Sequence, residues 1–407
     1  MSWCRPQEPH SWTEGTLSQV VRSIRGGVSV QCEERPANGS EFGVLKTGAV
    51  LHGRLDLSAQ KFVPASEHSR LRTPLRKDTI IFCRKNSDEV IGSSAIVAED
   101  APQLFLSDLL WEIEANPGVY VPWMLELLQS VNVRQEIKLR ATGTQSSMKN
   151  ISQGRLLDIS ILIPPCAEQR QIARILFTWD ESLSRERSLS AHLSSLYRGL
   201  ADRFLQVRGD SMHQLGSLLT PEKMAAVTPD GPFRALGVRS HGKGTFSRID
   251  SLAAVEEFGK TVYRVEPNLF IVNIVFAWEG AAAITSEADS GCLVLHRFPT
   301  FRINDQLLDI EYFRHVIRTK PFRQLLALAS PGGAGRNKTL NRDDLLKFKI
   351  HVPPLSEQGE IAETLNSLDR RISLLDDHTS RLARQRDALA TQLLTGRLRV
   401  KPDAERT

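Results

Sequence analysis

The segment LLDISILIPPCAEQRQIARIL begins at Leu156, and the segment LLKFKIHVPPLSEQGEIAETL begins at Leu345. Aligned without gaps, the two segments share a Pro-Pro pair, a Glu-Gln pair and an Ile-Ala pair at the same positions. We call the alignment that sets Leu345 on Leu156 the repeat register, and further upstream it also matches Lys149 with Lys338. Solenoid repeats have periods of about 20–50 residues. The period here is far longer and predicts a duplicated two-part unit.

Each copy has the same local design. A strand-type run, 159–163 or 348–352, ends at the Pro-Pro pair, because proline lacks the N–H group that a central strand or a helix interior requires. Glu168 and Glu357 then fall in the first turn of a helix, where the helix dipole favours a carboxylate. In both copies the helical pattern continues for about 38–40 residues, or roughly 60 Å at 1.5 Å per residue.

The apolar residues of both long helices recur mainly at steps of three and four, which is the heptad pattern of a coiled coil. The predicted helix-packing and partner-docking residues are Ile172, Leu176, Trp179, Leu183, Leu193, Leu200, Ile361, Leu365, Leu368, Ile372, Leu375, Leu382 and Leu389. A long helix with one narrow apolar stripe needs a packing partner in water. Each helix could pack on its own domain, or the two could pack antiparallel on each other, as their matching stripes favour.

The segments between the helices contain short strand-type runs separated by turn residues, with one predicted helix near 121–139 and another near 310–329. Upstream of the repeat the two segments are not evidently similar. We therefore predict an α+β fold, in which two α+β domains are separated by two long helices that pack as an antiparallel coiled coil. The predicted boundaries are 1–155 and 211–344 for the domains, and 156–210 and 345–407 for the helical spacers.

Composition and charge limit the kinds of protein that this sequence can encode. The chain has 407 residues, a net charge of +5 and 41% hydrophobic residues, which favours two or three globular domains and is compatible with a polyanionic partner. The five cysteines form no CxxC pair, so we expect neither a disulfide framework nor a zinc site, and we expect a cytoplasmic location. The sequence has no apolar run of about 18 residues, so no membrane span is expected.

Motifs of catalysis are missing from the sequence. It contains no [DN]-P-P-[YFW] methyltransferase motif, no H-x-x-x-H pair and no G-x-S-x-G elbow. The stretch GVRSHGKG at 237–244 approaches a P-loop but lacks the hydroxyl residue that follows the lysine. We therefore expect a protein that is not an enzyme.

The doubled strand, Pro-Pro-x-x-Glu-Gln-x-x-Ile-Ala and long helix resembles the specificity subunits of type I restriction–modification systems. The stretches GTQSS at 143–147, FAWEGA at 276–281, RFPTF at 297–301 and LATQLLTGRLR at 389–399 are similar to that family too. The resemblance implies two target-recognition domains that read a split sequence in double-stranded DNA. It also implies docking of two adenine methyltransferase subunits and, in a complete system, of motor-nuclease subunits. S-adenosylmethionine, ATP and Mg would belong to those partners, and this chain would hold no cofactor or metal.

Binding to DNA requires Lys and Arg for phosphates, and favours Arg, Asn and Gln for base edges. The candidate DNA-binding residues are Lys46, Arg54, Lys61, Arg84, Lys85, Asn86, Gln145 and Lys149 in the first domain, and Arg239, Lys243, Arg248, Arg336, Asn337 and Lys338 in the second. We expect the loop before each repeat to be the main contact, because both loops place a lysine at the same register. We interpret Trp278 as a core residue and leave His241 open between structure and binding.

A different interpretation is a coiled-coil scaffold that binds proteins and has no DNA specificity. Such a scaffold would need neither diverged α+β segments nor basic loops before its helices. Binding to DNA that weakens strongly with salt would distinguish the two interpretations.

Overall fold

A computed structural model describes residues 12–51, 53–143, 148–205, 211–250, 261–332 and 338–400. The chain forms two compact units: Met1–Glu186 with His378–Thr407 make the first unit, and Arg187–Asp377 make the second. Each unit therefore combines an α+β domain with part of each long helix, whereas the predicted boundaries followed continuous segments.

The first unit is built on two four-stranded sheets, ordered β10-β8-β12-β2 and β6-β3-β11-β7, and in the second of these β11 runs parallel to β3. Its strands are β1 Thr13–Thr16, β2 Val21–Gly26, β3 Gly43–Leu45, β4 Val50–Leu51, β5 Arg54–Leu55, β6 Gln60–Phe62, β7 Pro74–Leu75, β8 Ile80–Cys83, β9 Lys85–Asn86, β10 Ser94–Ile96, β11 Ala101–Leu106, β12 Leu110–Ala115, β13 Lys149–Asn150 and β14 Ser160–Ile163. Its helices are α1 Val121–Gln129, α2 Val131–Arg140, α3 Gln153–Leu157 and the first part of α4 Cys166–Phe204.

The second unit has a four-stranded sheet, β16-β24-β21-β22, and a five-stranded sheet, β17-β20-β23-β18-β19. Its strands are β15 Met212–Gln214, β16 Leu219–Glu222, β17 Ala226–Val227, β18 Phe233–Val238, β19 Thr245–Asp250, β20 Val262–Arg264, β21 Leu269–Val272, β22 Ala282–Ile284, β23 Leu293–Leu295, β24 Thr300–Ile303 and β25 Lys349–His351. Its helices are α5 Leu215–Leu218, α6 Ile310–Val316, α7 Lys320–Leu328, α8 Arg342–Lys347 and the first part of α9 Leu355–Leu394. The last part of α4 also belongs to the second unit, and the last part of α9 belongs to the first.

The duplication extends through both domains, although their sequences upstream of the repeat had not appeared similar. Strand β12 pairs with β8 at Ile113 and Ile80, and β24 pairs with β21 at Arg302 and Leu269, which are the matching positions in the repeat register. The parallel pair β11–β3 corresponds to β23–β18. The two units therefore share one core topology, and their differences lie in the segments attached to it.

Each predicted domain helix is in fact two helices. The break falls at Ser130 in the first unit and at Thr319 in the second, which again match in the repeat register. Both residues have extended backbone angles, and their hydroxyls accept the N–H of Val133 and Phe322, respectively. Each side chain thus caps the N-terminus of a new helix, a position at which Ser and Thr are preferred.

The two long helices, α4 and α9, are unbroken over 39 and 40 residues. In the first unit Arg386 on α9 hydrogen-bonds Asp180 on α4, and Thr379 hydrogen-bonds Glu186. In the second unit Ser190 donates to Asp376 at 2.6 Å. Residue numbers rise along one helix as they fall along the other, so the pairing is antiparallel and the predicted fold class is confirmed.

All the seam positions predicted above are shielded from solvent to some degree. The buried ones are Ile172, Leu176, Leu183, Ile361 and Leu365, and the partly buried ones are Trp179, Leu193, Leu200, Leu368, Ile372, Leu375, Leu382 and Leu389. In the first unit Ile172 shares one core with Leu393 from the other helix and with Trp123 from α1. The helices therefore pack both on each other and on the domain. Among the residues described, no helix is apolar over a stretch long enough to cross a membrane.

Candidate nucleic-acid interface

The repeated glutamine holds each domain on its long helix. In the first unit the Gln169 side chain donates to the Pro164 carbonyl at 2.9 Å and accepts the Tyr120 N–H at 2.8 Å. Gln358 makes the same two bonds at the matching positions of the second unit, at 2.7 and 2.8 Å. Both glutamines are buried. One side chain thus fixes the Pro-Pro turn to the start of the domain's helix pair, and the sequence repeat alone had not shown that role.

Four of the candidate residues in the first unit come together at one strand pair. Strand β9 pairs antiparallel with β13, which places Asn86 opposite Lys149 and Lys85 opposite Asn150. Arg84 precedes β9, and its Nε donates to the Asp108 carbonyl at 2.8 Å. The lysine that follows the 143–147 loop therefore lies beside a second basic segment from an earlier part of the chain.

The other candidates in the first unit lie on different elements. Lys61 on β6 forms an ion pair with Glu34, which raises the pKa of the lysine. Lys46 is exposed and close enough to lower the pKa of that same carboxyl, although less than Lys61 does. The Arg54 guanidinium donates to the Ser184 hydroxyl on α4 at 2.8 Å, so it is directed at the helix. Gln145 lies outside the described residues.

In the second unit Arg239, Lys243 and Arg248 all lie on one hairpin, formed by β18 and β19. Lys243 is exposed at the turn. The Arg239 guanidinium lies 5.0 Å from the Phe246 ring centroid and donates to the Thr245 carbonyl. This hairpin concentrates positive charge on one element.

The hairpin turn is joined to the loop that contains Trp278. The Ser240 hydroxyl donates to Glu279 at 2.7 Å, and the Gly242 N–H donates to the Gly280 carbonyl at 2.9 Å. Lys338, the counterpart of Lys149, lies over the Trp278 ring at 5.2 Å. Trp278 is only partly buried, and its ring supports a cation from the loop before the second repeat. Arg336 and Asn337 lie outside the described residues.

His241 has a left-handed backbone conformation, with φ at 63°, and it is exposed at the turn of the hairpin. The stretch that approached a P-loop runs from Gly237 inside β18 through this turn and ends just before β19. A P-loop joins a strand to a helix whose N-terminus faces phosphate. A strand–turn–strand segment lacks that helix, so the structural context of a P-loop is missing here.

The described residues contain no cluster of three or more His, Cys, Asp or Glu side chains that could bind a metal ion. Burial raises the pKa of the Cys83 thiol to about 11 and also raises the pKa of the Cys292 thiol. A thiol with a raised pKa is a poor nucleophile at neutral pH. What the candidate residues offer is positive charge and hydrogen-bond donors on loops and strands that are exposed or partly exposed.

Sequence reasoning missed the residues that brace these segments. Arg134 on α2 donates to the Glu89 carbonyl at 2.7 Å, and so supports the loop after β9. Arg323 on α7, its equivalent in the repeat register, packs against Gly280 in the loop after Trp278. The identical Arg-Gln dipeptides at 134–135 and 323–324 were a visible signal. They escaped notice because they lie outside the strongest part of the repeat.

A profile of the type I restriction modification DNA specificity domain matches residues 9–193 and 259–383. The MjaX specificity subunit, assigned to a type I restriction enzyme of Methanocaldococcus jannaschii, is 22% identical over 97% of this chain and 95% of its own length. The type I restriction–modification S subunit from M. genitalium has a similar fold, with a TM-score of 0.59 and 14% identity over 96% of this chain and 98% of that one. A second structure, from a study of complex assembly in the type I R-M system, has a TM-score of 0.54 and 16% identity over 97% and 100% of the two chains.

Proposed function

Since this chain belongs to the type I restriction–modification DNA specificity family, we propose that it reads a bipartite DNA sequence, one part through each unit. In this proposal the chain has no catalytic activity of its own. It docks adenine methyltransferase subunits, two per chain, and motor-nuclease subunits in a complete system. S-adenosylmethionine, ATP and Mg bind to those partners, and the complex works in the cytoplasm.

The observation that carries the proposal is one core topology with two different basic segments attached to it. The two units share their central sheet, their helix pair and the buried glutamine that holds the Pro-Pro turn, all at matching positions of the repeat register. Their basic segments differ: a short β9–β13 pair in the first unit and the long β18–β19 hairpin in the second. A common support with diverged surfaces is what two different half-sequences require, because base identity is read by the side chains that reach base edges.

Lys149 and Lys338 are the exception, since the same residue occupies the same register in both units. A contact that both halves share cannot distinguish two sequences. The phosphate backbone is the same at every site, and lysine binds phosphate as a point charge. We therefore assign both lysines to phosphate contacts.

The test is a salt titration of the affinity of the full-length chain for duplex DNA. Each phosphate contact contributes about 0.9 to the slope of log K against log salt. Lys149→Gln and Lys338→Gln should each lower the slope by about one contact and weaken binding to all sequences alike. Lys77→Gln and Lys223→Gln, at exposed positions of the two units, are the matched controls and should leave the slope unchanged.

The coiled-coil scaffold gives the opposite result. A scaffold without DNA specificity would show weak binding, and no duplex sequence would be preferred in a pool with a randomised centre. That outcome would contradict the proposal whatever the lysine variants do.

A further inference from the structure

In the hairpin of β18 and β19, residues 233–250, strand β18 presents one face to the core and one face outward. On β18, Leu236 and Val238 are buried in a core cluster. Cross-strand neighbours share a face, so Phe246 and Arg248, which pair with Gly237 and Ala235, lie on the opposite face. We call this second face, made of Ala235, Gly237, Arg239, Phe246 and Arg248, the outward face.

The outward face has small residues on the inner strand and large ones on the edge strand. A Cβ atom at Gly237 would overlap the Phe246 ring, so the glycine allows that ring to lie flat on β18. Ala235 likewise leaves space opposite Arg248. Among the described strands, β19 is the edge of its sheet, and Phe246 and Arg248 on its outward face are exposed. An exposed edge with apolar side chains favours association with a partner.

Charge indicates the kind of partner. Residues 233–250 contain four cationic side chains and one carboxylate, so their net charge is +3. Two antiparallel strands lie about 4.8 Å apart, and a ribbon of that width fits the major groove of B-DNA, which is about 12 Å wide. A polyanion with a groove of this width matches both the charge and the shape of the hairpin.

Arg248 is the side chain best placed to read a base. It is 70% exposed, and its only described partner is Asp250, at 3.1 Å. An ion pair this exposed is weak, so a base edge can replace the carboxylate. Arg239 differs, because the Phe246 ring and the Thr245 carbonyl already hold its guanidinium.

We propose that the outward face of the hairpin enters the major groove at the half-sequence read by the second unit, where Arg248 binds a guanine and Phe246 contacts a neighbouring thymine methyl group. Arginine binds the O6 and N7 atoms of guanine through two parallel hydrogen bonds, and aromatic side chains contact the thymine methyl. This inference rests on the proposed function, and it adds which element and which side chains recognise sequence.

The first unit has no comparable ribbon at the equivalent strands. Strand β3 pairs with β6 over only three residues, whereas β18 pairs with β19 over six. Lys61 on β6 is already paired with Glu34, and Arg54 is directed at α4. Changes to the hairpin should therefore affect one half of the target only.

The experiment selects bound duplexes from a pool with a randomised centre, using the full-length chain with its methyltransferase partner. Arg248→Gln should lose guanine preference at one base pair by roughly 10- to 100-fold and gain preference for adenine. Arg248→Lys keeps the charge but not the planar fork, so it should lose the same preference while retaining most of the affinity. Arg302→Gln is the control, because Arg302 is an exposed strand arginine of the same unit that is also paired with a carboxylate.

A change confined to one half of the selected motif supports the inference. If Arg248→Gln leaves both halves unchanged, or weakens all sequences equally, the inference is wrong although the chain still selects a bipartite motif. The same holds if the variant loses only the methyltransferase subunit, since the hairpin would then be a protein interface. If the unmodified chain selects no motif, the proposed function itself fails.

Discussion

Equivalent positions in the two units hold their long helices by different chemistry. In the first unit Arg386 on α9 binds Asp180 on α4 at 2.8 Å and Glu126 on α1 at 2.5 Å. The residues that match these three in the repeat register are Tyr197, Asp369 and His315 of the second unit. An ionic cluster in one unit thus occupies the place of a neutral tyrosine–histidine pair in the other.

The second cluster is linked mainly through neutral groups. The Tyr197 hydroxyl lies 2.8 Å from His315 Nδ1, and His315 Nε2 lies 3.0 Å from the Asn366 side-chain oxygen. Because that oxygen only accepts, Nε2 carries the proton and Nδ1 accepts from the tyrosine. Asp369 is bound instead by Arg318, at 2.9 and 3.0 Å.

In both units polar side chains join the two long helices to the first helix of the domain's helix pair, and we call this contact the polar junction. The comparison shows that the junction is kept although its residues have diverged. The apolar seams of α4 and α9 are similar and would tolerate more than one alignment. Fixing register is the best-attested role of buried polar groups in coiled coils. Because the polar pair differs between the units, its buried groups find hydrogen-bond partners only when the two helices pack in the correct alignment.

The largest effect is expected from Arg386→Met. The Glu126 side chain is only 12% exposed, so removing its cation leaves a buried charge without compensation. We expect the first unit to lose about 3–5 kcal/mol of unfolding free energy, measured by denaturant titration with peptide-resolved hydrogen exchange. Arg384→Met, an exposed position on the same helix, should cost under about 0.5 kcal/mol. Equal losses for the two variants would contradict the ionic cluster.

The sequence repeat was sufficient to predict the architecture, because the apolar periodicity and the Pro-Pro stops are local signals. The repeat was not sufficient to predict the polar contacts between the long helices or which residues meet at the candidate interface. Asn86 meets Lys149 only through the long-range pairing of β9 with β13, and no local pattern encodes such a pairing. The breaks at Ser130 and Thr319 were missed because the apolar pattern continues across them. Arg54 is of a residue type that commonly binds DNA, but in the structure its guanidinium donates to the Ser184 hydroxyl.

A smaller effect should distinguish the two repeat glutamates. Glu168 is buried, accepts the Trp12 indole N–H at 2.9 Å and binds Arg399 at 2.7 Å. Glu357, its repeat equivalent, is exposed. Because hydrogen bonds to charged groups contribute about 1.5–3 kcal/mol each when measured by mutation, Glu168→Gln should cost about 2 kcal/mol. Glu357→Gln should cost under about 0.5 kcal/mol.

Denaturant titration monitored by tryptophan fluorescence measures both glutamate variants. A loss of similar size in the two would mean that the dipole of the helix N-terminus, which both glutamates share, accounts for the stabilisation. In that case the contacts of Glu168 with Trp12 and Arg399 would contribute nothing specific.

The smallest effect is a pH response of opposite sign in the two units. Burial, together with the positive charge of Arg318, lowers the pKa of His315 below its usual 6.5. The unfolded chain therefore binds a proton that the folded second unit resists, and stability is lost as the pH falls below 6.5, by at most about 1.4 kcal/mol per pH unit. Burial raises the pKa of Glu126 above 4.5, so protonation of that group favours the folded first unit.

The groups that face His315 are Tyr197, Arg318, Asn366, Asp369 and Glu311. Burial raises the pKa of Tyr197 to about 12, and carboxylates ordinarily titrate near pH 4, so the window from pH 6.5 to 5.5 isolates the histidine. Hydrogen exchange of α6 should accelerate across this window, while exchange of α1 should not. His315→Gln should remove the response, because glutamine does not titrate. If α6 in the variant still opens on acidification, or if α1 opens equally, the two junctions do not differ in the way that their side chains indicate.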